Sequence, residues 1–168
     1  MTPLMRRGLV LTLCHVAIVA SLGVKLEIDR ATRPRVWARA MPFDPNLPIR
    51  GRYVSLALEV ATDAVPAADD GVSLFPVALV ARNGALVAVP ATASSHVHVR
   101  STTRERGAHA TVLSEPVAYF IPEHVADPSR RPPGEELWVE VTIPRSGAPR
   151  PIRLGVRKDG VLTPLELN

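Results

Sequence analysis

Apolar and polar positions divide the chain into one long uncharged segment near the N-terminus and a series of short alternating segments after it. Residues 8–24 (GLVLTLCHVAIVASLGV) carry no charge, follow two arginines and precede a lysine. As a helix they cover about 25 Å, slightly less than the hydrocarbon core of a bilayer, which is about 30 Å thick. Leu26 and Ile28 add one more apolar turn. The pattern predicts a transmembrane helix that contacts the lipid bilayer through residues 8–28.

A cleaved signal peptide is the alternative interpretation of this segment, because it shares the basic start and the apolar middle. Its best cleavage site, Ile18-Val19-Ala20, has isoleucine where a smaller residue is preferred. This favours a retained anchor. Cys14 is the only cysteine and lies inside the segment, so the chain forms no intramolecular disulfide.

Beyond Pro34 the apolar residues alternate with a period of two, as in half-buried strands. The clearest case is Tyr53–Val60, in which every even-numbered residue is valine or leucine. Asn83-Gly84 and Asp159-Gly160 are hairpin turns, because these residue types tolerate a positive φ. The remaining predicted strands cover residues 36–40, 74–82, 85–89, 96–100, 110–113, 117–121, 137–143, 152–157 and 161–167.

These short segments predict a mainly β fold: an N-terminal transmembrane helix followed by a small antiparallel β barrel or sandwich. The organisation is an anchor over residues 1–28, a connector over 29–35 and a β-rich domain over 36–168. Two long polar stretches, residues 61–71 and 123–136, are expected to be solvated loops, since neither can bury apolar surface on its own.

The basic charge of the chain lies at its membrane-flanking end. Residues 1–39 contain seven basic and two acidic side chains, whereas residues 41–168 contain 13 basic and 14 acidic ones. Lysine and arginine beside a membrane segment meet lipid headgroups. The nearly neutral domain shows no basic stripe, so we expect no nucleic-acid partner.

Two distant segments carry a family resemblance. The first, residues 44–56, reads DPNLPIRGRYVSL, and the second, residues 119–123, reads YFIPE. Together they resemble the GDYXXLXY proteins, small bacterial membrane-anchored proteins without an assigned biochemical activity. The chain departs from the family pattern at three positions: Arg52 replaces an aspartate, Leu58 replaces the last tyrosine, and His124 replaces a glycine.

The resemblance implies a retained helix in the bacterial inner membrane and a domain on its periplasmic side. The positive-inside rule alone favours the opposite orientation, with two basic residues before the segment and five shortly after it. The motif predicts a structural corner of the β fold whose two segments meet in space. Its candidate interaction residues are Asp44, Pro45, Gly51, Tyr53, Leu56, Tyr119, Phe120, Pro122 and Glu123.

The anchor, the neutral domain and the lack of a recognisable catalytic motif favour a non-enzymatic module that binds or assembles with an inner-membrane or periplasmic protein. We predict no catalytic residue, metal or cofactor. One alternative is a metal- or carboxylate-dependent hydrolase that uses His96, His98 and Glu123, with His109 or Glu115 as a further ligand. Another is a small-ligand binder with an apolar cavity inside the β domain.

Overall fold

The computed structural model describes residues 3–43, 53–62, 74–92, 95–103 and 107–167. It contains two compact units, Met1–Arg33 and Pro34–Asn168. The first is a single helix, α1, and the second is built from strands, which confirms the mainly β prediction. The strands are β1 Arg35–Pro42, β2 Tyr53–Leu58, β3 Ala61–Thr62, β4 Phe75–Arg82, β5 Ala85–Pro90, β6 His98–Thr103, β7 His109–Leu113, β8 Val117–Phe120, β9 Glu135–Thr142, β10 Arg150–Lys158 and β11 Val161–Pro164.

Helix α1 runs from Pro3 to Thr32 and is longer than the uncharged segment alone. Its 30 residues correspond to about 45 Å. Arg33 supports the last turn of the helix. Its backbone N–H donates to the carbonyl of Asp29, and its guanidinium pairs with the Asp29 carboxylate at 2.9 Å. It ends before Pro34, which has no N–H to donate. Most of the predicted connector, residues 29–35, is therefore helical.

Residues Met5–Asp29 of α1 form a candidate membrane span by their length and apolar composition. Their large apolar side chains are exposed within this unit, as a lipid-facing surface requires. Three polar side chains of the span donate within the helix: Thr12 to the carbonyl of Gly8, His15 to that of Leu11 and Ser21 to that of Ile18. Polar groups without hydrogen bonds are costly in the bilayer core, and these internal bonds reduce that cost. The helix is therefore compatible with single-pass anchoring.

The strands of the second unit pair mainly antiparallel, in the order β11-β10-β9-β1-β5-β4-β6-β7. Strand β2 leaves this path and pairs with β1 and β8, while the two-residue strand β3 pairs parallel with β5. A bridge from Glu59 to Val112 connects the end of β2 to β7. Whether these strands form a barrel or a sandwich stays a prediction.

The interior of the β unit is filled by aliphatic side chains from nine strands, β1, β2 and β4 to β10. The alternation predicted for β2 is present, since Val54, Leu56 and Leu58 are buried and Tyr53 and Ser55 are partly exposed. Both predicted hairpin turns occur, with φ between 49° and 81° at their four residues. The largest fully buried side chains are Leu56, Leu58, Leu154, Val77, Val99, Val112, Val139 and Val141.

Two predicted boundaries were wrong. Strand β3 occupies Ala61–Thr62, at the start of the stretch expected to be a loop. The strand expected from residue 96 begins at His98. Here the Ser95 hydroxyl donates to the carbonyl of Val77 at 2.6 Å and accepts from the backbone N–H of Val97 at 3.3 Å. This serine turn keeps His96 out of the strand.

Candidate functional site

The two motif segments meet in the β unit as the antiparallel pair β2 and β8, which we call the motif ribbon. Tyr53 lies opposite Phe120, Val54 opposite Tyr119, and Leu56 opposite Val117. The chain separates these strands by about 60 residues, so their meeting is a tertiary contact. Asp44, Pro45, Gly51 and Arg52 lie outside the described residues, and so does the expected packing of Tyr53 on the loop of residues 45–48.

The two faces of the motif ribbon have different environments. On the inner face Leu56 is fully buried, Val117 is buried, and Tyr119 packs against the core. On the outer face Tyr53 and Phe120 form a tilted aromatic pair, with ring centres 6.1 Å apart and planes at 59°. The side chain of Phe120 is 78% exposed. The ribbon therefore combines a core contact with an exposed aromatic group.

Strand β8 has β2 as its strand partner in the described part of the chain, so its other side is a sheet edge. The carbonyl of Ser55 accepts from the N–H of Phe43, so the backbone of Ser55 is directed away from β8. Successive residues of an antiparallel strand direct their backbone groups to opposite sides. Val54 and Leu56, which flank Ser55, therefore direct their backbone groups to Tyr119 and Val117. The backbone groups of Ala118 and Phe120 are directed to the free edge.

The end of the motif forms a tight turn next to this edge. The N–H of Val125 donates to the carbonyl of Pro122 at 3.2 Å, and Glu123 and His124 are exposed within the turn. Ile121 packs against the core and holds the start of the turn. The carboxylate of Glu123 is thus at the surface, a few residues from the ring of Phe120.

The residues of the hydrolase alternative lie in separate elements. His98 is in β6, His96 is exposed in the bend before it, and Glu123 is in the turn after β8. His109 lies opposite Thr103, at the other end of the β6–β7 hairpin from His98. Within the described ranges no group of three or more His, Cys, Asp or Glu side chains is arranged to hold a metal ion.

A second surface, which the sequence analysis did not identify, lies on β1, β9 and β10, and we call it the Trp–Arg face. Trp37, Glu140 and Arg153 are aligned across these strands. The Arg153 guanidinium lies 5.4 Å from the Trp37 ring centre, and its Nε donates to Glu140 Oε2 at 2.7 Å. The indole also covers Gly155, where an added Cβ would lie 2.9 Å from a ring carbon of Trp37.

The second half of the Trp–Arg face repeats this arrangement around Trp138. Its Nε1 donates to Glu136 Oε2 at 3.2 Å, and the guanidinium of Arg157 lies 4.1 Å from its ring centre. The buried Nε of Arg157 has no hydrogen-bond partner within the described residues, and it faces the ring instead. Arg39 pairs with Glu136 at 3.2 Å.

The Trp–Arg face is a stabilising surface of the sheet. The guanidinium groups of Arg39, Arg153 and Arg157 lie against carboxylates or indole rings, so these three arginines form no free basic row for a phosphate or a nucleic acid. The alternation of tryptophan and charged residues in β1 and β9 is a sequence signal for a common face. The register that joins the strands is not readable from that alternation.

Comparison with protein-family models finds no matching family, and comparisons with curated proteins and with solved structures find no significant match. The resemblance to the GDYXXLXY proteins therefore stays a prediction.

Proposed function

We propose that this protein is a single-pass protein of the bacterial inner membrane whose periplasmic β unit binds another membrane or envelope protein through the motif ribbon. The observation that carries the proposal is the side chain of Phe120, which is 78% exposed although it belongs to a regular strand beside the core. The proposal assigns no reaction to the protein.

The anchor supports the membrane part of the proposal. The span Met5–Asp29 has the length and composition of a membrane-crossing helix, and Thr12 and His15 donate hydrogen bonds within it. The periplasmic location follows from the family resemblance and is opposed by the distribution of basic residues. A reporter enzyme fused to the C-terminus that is active only in the periplasm tests it. Activity of a cytoplasm-specific reporter at the same position would contradict it.

The motif ribbon has the properties of a protein-binding surface. Aromatic side chains are enriched at the energetically important centres of interfaces because they bury a large apolar area with few rotatable bonds. Phe120 has lost little solvent contact on folding, and its ring lies beside that of Tyr53. Burying such a ring in a partner contributes about 1.5–3 kcal/mol, which corresponds to about ten- to 150-fold in affinity.

The structure around the ribbon favours a side-chain contact over addition of a long strand. Strand β8 has only four residues, Val117–Phe120, and prolines lie immediately before it and two residues after it. Short strands and flanking prolines are features that prevent edge-to-edge pairing. We therefore expect the partner to receive Phe120 in an apolar pocket, with at most local hydrogen bonds to the backbone of Ala118 and Phe120.

Photo-crosslinking in living cells tests the proposal. A photoreactive amino acid is placed at Phe120 and, in a matched control, at Val161, which is 67% exposed on the edge strand β11. We expect a discrete crosslinked protein from position 120 and none from position 161. Equal labelling at the two positions, or no adduct at position 120, would contradict the proposed role of the motif ribbon.

A further inference from the structure

A very short connection joins helix α1 to the β unit. The helix ends at Thr32 and β1 begins at Arg35. Three Cα–Cα steps cover at most about 11 Å. The Cα of Arg35 therefore lies within about 11 Å of the Cα of Thr32. The helix is about 45 Å long, and a bilayer including its headgroups is about 40–45 Å thick. Thr32 of a spanning α1 therefore lies at headgroup level.

Three arginines of the β unit lie at the end where the chain enters it. Arg35 is opposite Thr142, which is in turn opposite Arg150. The loop between β9 and β10 is attached to the same end, because the N–H of Ile143 donates to the carbonyl of Pro34 at 3.1 Å. This loop contains the exposed Arg145. We call Arg145 and Arg150 the basic rim.

The basic rim is not neutralised by its sequence surroundings. Residues 30–43 and residues 141–157 contain no aspartate or glutamate. Arg145 and Arg150 are exposed and form no ion pair within the described part of the chain. Arg153, farther along the same strand, shows the contrast, because its guanidinium lies against the carboxylate of Glu140. The excess positive charge is therefore concentrated at the entry end.

We propose that the basic rim binds the phosphate groups of anionic phospholipids and holds the β unit against the membrane surface. Arginine forms paired hydrogen bonds with phosphate oxygens, and each basic residue close to an anionic bilayer adds to the attraction. This inference rests on the membrane anchoring in the proposed function. A docked rim would restrict the height above the bilayer at which the motif ribbon meets its partner.

Fluorescence quenching in lipid nanodiscs tests the proposal with the full chain. A fluorophore is attached at Ser146→Cys, in the rim loop, or at Val161→Cys as a distal control, both with Cys14→Ser. Val161 lies opposite Lys158, and β10 separates that residue from Arg150 by about 26 Å. Headgroup-attached quencher is present in discs of phosphatidylcholine, with or without phosphatidylglycerol.

We expect phosphatidylglycerol to increase quenching at position 146 and to leave position 161 unchanged. Raising the ionic strength from about 0.1 M to about 1 M shortens the screening length from about 10 Å to about 3 Å and should reverse the increase. Arg145→Gln with Arg150→Gln should weaken docking about 25-fold, at about fivefold for each arginine. The matched control, Arg130→Gln with Lys158→Gln, removes two positive charges away from the rim and should change docking less than twofold.

Equal quenching at position 146 in the two lipid compositions would overturn the role of the basic rim while leaving the anchor intact. An equal loss for the two double variants would overturn it as well, because it would show a response to net charge alone. Failure of the chain to incorporate into nanodiscs would overturn the anchor and this inference together. The incorporated fraction, measured by size-exclusion chromatography, distinguishes this outcome from the other two.

Discussion

Replacing Leu56 by alanine should strongly destabilise the β unit, because this motif residue belongs to the core. Its side chain is fully buried between β1 and β8, with Pro42 and Val117 as its cross-strand neighbours. Removing three carbon atoms costs about 2.4 kcal/mol in transfer free energy, at about 0.8 kcal/mol each. The cavity left behind raises the expected cost to about 3–4 kcal/mol. This is a large part of the stability of a typical domain, about 5–15 kcal/mol.

Urea unfolding of the full chain in detergent micelles measures this cost, with the fluorescence of Trp37 and Trp138 as the signal. With a slope of about 1–3 kcal/mol per molar urea, the midpoint for Leu56→Ala should fall by more than about 1 M. The matched control is Phe120→Ala in the same ribbon, which should cost less than about 1 kcal/mol because its side chain is mostly exposed. Equal losses for the two variants would refute the division of the motif into core and surface residues.

Three further substitutions test the packing of the sheet and its turns, each by the same unfolding measurement. Gly155→Ala should cost about 1–3 kcal/mol because its Cβ would lie 2.9 Å from the Trp37 ring. The cost should be smaller in a Trp37→Ala background, and an equal cost in both backgrounds would contradict the contact. Glu140→Gln should cost about 1–2 kcal/mol through its hydrogen bond to the half-exposed Arg153, and a neutral effect would exclude a stabilising pair. Gly84→Ala should cost about 1 kcal/mol through its φ of 75° alone, since no atom lies within 4 Å of the added Cβ, and a stabilised variant would rule out the left-handed turn.

The class of the fold was predictable because short-range signals determine it. The period of two in β2 and the turn residues at Asn83-Gly84 are local, and both predictions were confirmed. Strand β3 was missed because two residues are too few to show a period. The start of β6 was misplaced because the hydroxyl of Ser95, a tertiary contact partner of Val77, interrupts the alternation at His96.

The site was predictable only in part. The two motif segments meet, as the sequence analysis expected, but which of their aromatic residues is exposed could not be predicted. Strand β8 reads Val-Ala-Tyr-Phe, and four apolar residues in succession contain no polar position to mark the outer face. The exposure of Phe120 follows from its register with Tyr53. The Trp–Arg face was missed for a similar reason, since about 100 residues separate β1 from β9.

The affinity of the purified chain for the crosslinked partner tests the central claim most directly, with both proteins reconstituted in nanodiscs. Phe120→Ser should weaken binding by about tenfold or more, whereas Val161→Ser, an equivalent change on another exposed edge, should leave it within about twofold. Unfolding midpoints of the two variants show that both remain folded. An unchanged affinity for Phe120→Ser, or an equal loss for both variants, would contradict the account.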